Sequence, residues 1–440
     1  MSSAPLQLTG IACRRLRTPG MLLENVFIEF DGPRVSVVGD FSSSWLPPGA
    51  FNARDEELLV VPGFVDVHVH GGGGIDFLTA DEAGLATVSA TAASGGCTTM
   101  VATTTLANDD EGLERFTEFV RILRNTSPPR YRQGRVESSA RKPAAGAATA
   151  QGSAAAVAEA VAEDEVCSLP GTRIMGIHLE GPFLNPERRG AFTNRFLRPV
   201  DLKVAEKVLE ICGDLLLKVT LAPELPGGAQ LVQLLTSSRS APVEVTLGHT
   251  TCDYELGIRM FGNSHVRQIT HVFNAMSGLH HRTPNLITAA LLDDRVCLEI
   301  IPDGLHVAPP VVKLLHKIVG AKRLIGTTDG ASAAGTPPGS SFESFSGHAV
   351  VGSDCGVRRT TDHVLVGSAA LMNDVYERLQ TLAGIPAEDA LLMCTQNPAQ
   401  SINRFHQIGS IDKAKRADFA ILRGTTVEAT VRDGVLVYQK

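Results

Sequence analysis

The 440-residue chain has no basic excess: 40 Lys and Arg stand against 47 Asp and Glu, for a net charge of −7. A main role in nucleic-acid binding would need a basic patch or stripe, so that class is set aside. No uninterrupted apolar run approaches the roughly 20 residues needed to span a bilayer, and no membrane partner is expected. The opening Met1-Ser-Ser-Ala-Pro-Leu-Gln-Leu lacks the charged start and long apolar middle of a secretory signal. The closing Val-Tyr-Gln-Lys440 is not a peroxisomal address. Eight cysteines are scattered and none forms a Cys-x-x-Cys pair, which reads as reduced thiols in a cytoplasmic protein.

Hydrophobic residues make up 43% of the chain, enough for one large core and a smaller one. From Phe64 onward, short apolar strands alternate with stretches of helical spacing. The strands read as Phe64–His70, Thr98–Thr103, Ile174–Glu180, Leu217–Pro223, Val243–His249, Gln268–Phe273, Val296–Pro302 and Arg323–Asp329. Helical spacing recurs in Ala80–Ser94, Glu111–Arg124, Leu202–Cys212, Ala229–Ser237 and Pro310–Val319. Eight such strand–helix units predict an α/β fold, a (β/α)8 TIM-like barrel. The flanks are different. Both chain ends carry alternating β-like pieces broken by glycine, and they predict one small β-sandwich domain formed by 1–60 together with 408–440, beside a barrel of 61–407. Residues 137–165, rich in Ala, Ser, Gly and Glu, interrupt the barrel between its second helix and third strand. They read as a low-complexity insertion on the face away from the chemistry.

In a barrel, reactive groups gather at the C-terminal ends of the strands. The first strand ends in His68-Val-His70, and side chains two apart on a strand point the same way, so both imidazoles face one side. A lone strand-end histidine is usually structural. Here strand three gives Glu180, strand five His249 and strand six His271, while His306 follows strand seven and Asp329 ends strand eight. Imidazoles and carboxylates converging on one mouth point to a metal. With no cysteine at these ends the donors suit zinc and permit iron, cobalt or manganese. Asp329 is the candidate general base and acid for a metal-assisted hydrolysis, although an Asp before Gly330 also suits a turn or helix cap. Lys218 is read at the start of strand four, on the face away from the barrel interior.

The chain resembles the amidohydrolase superfamily, and within it the family of N-acetylglucosamine-6-phosphate deacetylases. The motifs are Pro62-Gly-Phe-Val-Asp-Val-His-Val-His-Gly71, His178-Leu-Glu-Gly-Pro-Phe183, Val219-Thr-Leu-Ala-Pro-Glu224, Gly248-His-Thr250, Thr270-His-Val-Phe-Asn-Ala-Met276, Asp303-Gly-Leu-His306 and Thr328-Asp-Gly330. The final Gly409-Ser-Ile-Asp-Lys-Ala-Lys-Arg-Ala-Asp-Phe419 is similar to the superfamily's return into its β-sandwich.

The resemblance implies a hydrolase that cleaves N-acetylglucosamine 6-phosphate to glucosamine 6-phosphate and acetate. It implies one or two divalent ions per chain, Glu180, His249 and His271 as ligands of the main ion, and Asp329 as base and then acid. His68 and His70 are the pair that would hold a second ion. It also implies that His306 and the Asn274-Ala275 backbone hold the sugar phosphate. Arg282 would reach a phosphate across a homodimer interface. One departure stands out. Where several family members carry a carbonyl-polarising histidine, this chain has Phe192, in Arg188-Arg-Gly-Ala-Phe192. Two rival readings remain at this point: another amidohydrolase reaction, such as cyclic-amide hydrolysis or nucleobase deamination, and a non-catalytic barrel scaffold.

Overall fold

A computed structural model describes residues 6–41, 46–126, 168–237 and 242–440. The predicted insertion at 137–165 lies outside the described residues. Eight parallel strands run in sequence order: Phe64–Val69, Cys97–Thr104, Arg173–Glu180, Leu216–Leu221, Glu244–Leu247, Val266–Ile269, Cys297–Ile300 and Leu324–Gly326. The first and eighth close the ring. Asp329 N–H donates to the His68 carbonyl at 3.0 Å, and His70 N–H to the Gly330 carbonyl at 2.7 Å. The buried threonine hydroxyls of Thr327 and Thr328 reinforce this junction by donating to Asp66, at 2.8 and 2.5 Å. The predicted (β/α)8 barrel is therefore present.

Alternation on the first strand decides what faces where. It is interrupted once: Val65 and Val67 pack inward with Val101 and Ile325 at the base of the barrel, Asp66 and Val69 pair with helix-facing Met100 and Ala102, and the irregular register between these two pairs lets His68 face the interior as well. The amphipathic helices Leu202–Cys212 and Pro309–Val319 bury one face, including Val208, Cys212, Val312 and Leu315, against the outside of the barrel. The helices Tyr254–Phe261, Leu286–Leu292, Met372–Thr381 and Ala387–Cys394 were not foreseen from spacing. Nor was a four-stranded antiparallel sheet, Ser341–Ser344, Gly347–Val351, Gly356–Arg359 and Leu365–Ser368, which follows the eighth strand.

Both chain ends enter one nine-stranded sheet in which Phe419–Arg423 pairs with Leu58–Pro62, so the sheet runs just past residue 60. Arg173, fully buried at the start of the third barrel strand, fastens this sheet to the barrel. Its guanidinium donates to Asp418 at 3.1 Å and to Asp433 at 2.6 Å. No helix among the described residues is long and apolar enough to cross a membrane.

Candidate metal centre

Five predicted residues meet at the C-terminal mouth of the barrel. Glu180 stands in the middle and is shared by two donor groups, one with His68 and His70, the other with His249 and His271. Within each group the ligand atoms lie within 4.8 Å of one another, and every member is buried. Glu180 Oε1 is 3.2 Å from His249 Nε2 and 3.1 Å from His271 Nε2. Oε2 is 3.4 Å from His68 Nε2 and 3.1 Å from His70 Nε2. Asp329 completes the cluster, with Oδ1 at 3.4 Å from His68 Nε2 and 3.5 Å from His70 Nε2.

The local backbone explains the convergence. His249, His271 and Asp329 each take a positive φ, of 49°, 28° and 43°, as their strands end. Such left-handed backbone is uncommon outside glycine, and it turns these side chains back over the mouth. After His70 the chain reverses sharply through glycines: a Cβ at Gly71 would sit 2.0 Å from the Ile75 carbonyl oxygen.

The donor set fits a divalent cation. His249 Nδ1 donates to the Arg188 carbonyl at 2.9 Å, which leaves its Nε2 lone pair aimed at Glu180. His68 Nε2 is buried with no hydrogen-bond partner. Buried polar atoms ordinarily have partners, and an inward-facing orphan beside two carboxylates is placed where a cation could meet it. Electrostatics agree. Burial works against an ionised Glu180, yet His68 and the imidazoles of His249 and His271 around it hold its carboxyl well below the usual range. Asp329 is likewise held low, because the charge of His68 and the hydrogen bond from His70 outweigh burial. Burial would lower His70, but Asp329 and Glu180 raise it to about 9.

The predicted substrate-binding residues differ in burial and in the contacts they make. His306 is nearly buried and its Nδ1 pairs with Asp303 Oδ2 at 2.6 Å. The Asn274 backbone N–H is taken by the His271 carbonyl at 3.0 Å. Of the two N–H groups expected to meet a phosphate, that of Ala275 is therefore the one without a partner. Arg282 sits exposed on its loop with His280 and His281. Phe192 is at the site as its motif implied: its ring meets His249 edge-on at 5.1 Å between centroids. Phe345, at the tip of the unforeseen antiparallel sheet, lies tilted against Phe192 at 5.0 Å and against His70 at 5.3 Å between centroids.

One reading is corrected. Lys218 does not face away from the interior. It shares parity with Thr220, whose hydroxyl meets His178 at 2.7 Å and Thr270 at 2.9 Å inside the barrel, and Lys218 is fully buried there against Glu299. Burial lowers its amine to about 7. Glu299 itself was not singled out from sequence. It lies within an apolar strand, Cys297-Leu-Glu-Ile300, and an isolated carboxylate in such a run was the available signal.

Comparison with known proteins gives the same picture. The N-acetylglucosamine-6-phosphate deacetylase of Bacillus subtilis (strain 168) is 31% identical over 92% of this chain and 90% of its own length. The N-acetylgalactosamine-6-phosphate deacetylase of Escherichia coli O157:H7 is 27% identical over 85% of this chain and 86% of its own. Among solved structures, a mutant N-acetyl-D-glucosamine-6-phosphate deacetylase from Mycobacterium smegmatis, in complex with N-acetyl-D-glucosamine-6-phosphate, aligns with a TM-score of 0.78 at 27% identity. That alignment covers 98% of this chain and 100% of the other. The model of the amidohydrolase family matches residues 59–437. With its barrel, its shared-glutamate histidine cluster and these matches, the chain belongs to the amidohydrolase family.

Proposed function

We propose that this chain hydrolyses N-acetylglucosamine 6-phosphate to glucosamine 6-phosphate and acetate. The observation that carries the reading is Glu180 shared between two histidine pairs, with Asp329 facing one of them. A divalent cation held by Glu180, His249 and His271, and a second held by His68 and His70 with Glu180 between, would supply Lewis acidity for amide cleavage, zinc being best matched to these donors.

The chain's own groups do the rest. Asp329, ionised at neutral pH, takes a proton from the attacking water as its oxygen bonds to the acetyl carbon. It then returns that proton to the departing nitrogen as the C–N bond breaks, releasing acetate and the free amine. His306, fixed by Asp303, and the Ala275 N–H hold the sugar phosphate, with Asn274 shaping that turn. Arg282 is exposed within one chain, which fits a guanidinium that serves the phosphate of a second copy in a homodimer. Phe192 and Phe345 offer no hydrogen bond to the acetyl carbonyl and wall the site with apolar surface.

Lys218 bears on the rival chemistry. Many cyclic amidases use a carboxylated lysine of strand four between two ions; here that lysine is tied to Glu299, and Glu180 takes the shared position. The cysteines among the described residues are all free thiols, which supports a cytoplasmic setting.

The experiment is acetate release from N-acetylglucosamine 6-phosphate, with and without a chelator, beside N-acetylgalactosamine 6-phosphate, dihydroorotate and adenine. Chelator-sensitive turnover of the glucosamine derivative, above the other three, is expected. Turnover of dihydroorotate or adenine alone, or activity indifferent to the chelator, would overturn the proposal.

A further inference from the structure

Beneath the histidine cluster lie two ionisable side chains that the reaction does not consume. Lys218 on the fourth strand and Glu299 on the seventh are both wholly shielded from solvent and pair across the barrel interior through Glu299 Oε1. The second oxygen of Glu299, Oε2, lies 3.3 Å from His68 Nδ1. A buried ion pair is weak grounds for stability, because desolvating two charges offsets most of their attraction. What this pair does have is a neighbour in the site.

The rear nitrogens of the cluster are treated unequally. His249 Nδ1 is backed by a neutral carbonyl, and His271 Nδ1 is buried with no partner. His68 Nδ1 alone is backed by a carboxylate. A carboxylate there accepts the Nδ1 hydrogen, and so keeps the Nε2 lone pair bare. That atom is the orphan that points between Glu180 and Asp329, at 3.4 Å from each. Lys218 in turn pairs with the other oxygen of this carboxylate and holds it in place.

We propose that Glu299, anchored by Lys218, is a positioning residue for His68: it sets the imidazole's tautomer and ring plane so that Nε2 serves as a ligand of the second ion. This rests on the reading of His68 as a metal ligand given above. Glutamine at 299 tests it directly. Its single carbonyl oxygen can satisfy Lys218 or His68, not both. With the oxygen kept by Lys218, the amide NH2 faces Nδ1 and favours the opposite tautomer, with the hydrogen on Nε2.

Metal-free full-length protein is titrated with Zn2+ by calorimetry, for wild type, Glu299→Gln, His68→Ala and the double variant Lys218→Met with Glu299→Leu. The double variant leaves no stranded buried charge, so it guards against misfolding. The imidazole 15N shifts of His68 are read on the same metal-free samples at alkaline pH, where the ring is neutral and its tautomer can be told apart. Loss of such a supporting partner typically weakens metal affinity about 10–100-fold, and that loss is expected for the second ion in both Glu299 variants, with the first ion unchanged. The 15N shifts should show the hydrogen on Nδ1 in wild type and moved in Glu299→Gln. Unchanged second-ion affinity in both Glu299 variants, beside a loss in His68→Ala, overturns the positioning role alone. Two ions retained at full affinity by His68→Ala, or a wild type that saturates at one ion, overturns the underlying reading of His68 as well.

Discussion

His249 Nε2 and His271 Nε2 lie 3.0 Å apart, and both face the same oxygen of Glu180. Two imidazole nitrogens this close need a proton or a cation between them. The strands that deliver them are neighbours, and each leaves the sheet through left-handed backbone. Sparsely populated backbone of this kind costs on the order of 1–3 kcal/mol per residue and persists where the surroundings over-determine it. The mouth of the barrel therefore stores local strain in the residues that would bind the ion.

Asp329→Asn should keep metal and substrate but lose turnover. The amide is nearly isosteric with the carboxylate and cannot take the water's proton. General acid–base groups contribute about 10²–10⁴ in rate, so kcat should fall at least that far. Steady-state kinetics beside a metal analysis makes the check, and near-wild-type kcat removes Asp329 from the mechanism.

His68→Ala combined with His70→Ala should lower the metal content from about two ions per chain to about one, with a large loss of kcat. The rationale is Phe192, which has no hydrogen-bond donor for the acetyl carbonyl. Elemental analysis of both proteins decides it: a wild type with one ion and a fully active double variant would leave the pair structural.

Arg282→Ala should raise KM for the 6-phosphate far more than for unphosphorylated N-acetylglucosamine. Removing a charged hydrogen-bond partner costs about 1.5–3 kcal/mol. Equal effects on both sugars would take the phosphate role away from Arg282, and a monomer at working concentration would take away its route to a second copy's site.

Much of this was legible in the sequence, and the reasons are local. Strand alternation alone placed His68 and His70 on one side, and Glu180, His249 and His271 stood out as polar residues near the ends of apolar runs. What escaped depended on contacts across the barrel. Lys218 looked peripheral because strand four was read from its start, whereas parity with Thr220 turns it inward. Glu299 had no motif, and its meaning comes from a histidine 231 positions away in the chain. Phe345 reaches His70 from an antiparallel hairpin whose first strand, Ser341–Ser344, holds a single hydrophobic residue, Phe342, too little signal to read a strand from.

Arg173→Met should destabilise the fold without altering the chemistry. The guanidinium bridges Asp418 and Asp433, which flank strands of the terminal sheet, from a fully buried position on a barrel strand. Breaking a buried pair by removing one partner costs about 3–5 kcal/mol, since the remaining charges stay out of water. Denaturant unfolding should show a loss of that size, with kcat of the folded enzyme unchanged. A loss below about 1 kcal/mol would mean that Arg416, which also pairs with Asp433 at 2.6 Å, suffices to hold the junction.

The Asp303–His306 pair should set the alkaline limb of substrate capture. Burial pulls the His306 imidazole down, but the hydrogen bond and charge of Asp303 outweigh it and raise its pKa. Burial likewise pushes Asp303 up, and His306 brings it below the ordinary carboxylate value. The two signs define a window. The contribution of His306 is full below its ordinary value and fades as pH rises through its raised value. That of Asp303 is full above its ordinary value and fades as pH falls through its lowered one. A cationic His306 near the sugar phosphate should thus persist past the usual histidine range, and kcat/KM should fall only on the alkaline side of it. In Asp303→Asn the charge is gone, and the alkaline inflection of kcat/KM should move down toward the ordinary histidine value of about 6.5. The measurement is a pH profile of kcat/KM on both proteins with the 6-phosphate substrate. An inflection that stays in place after the substitution would assign the alkaline limb to another group.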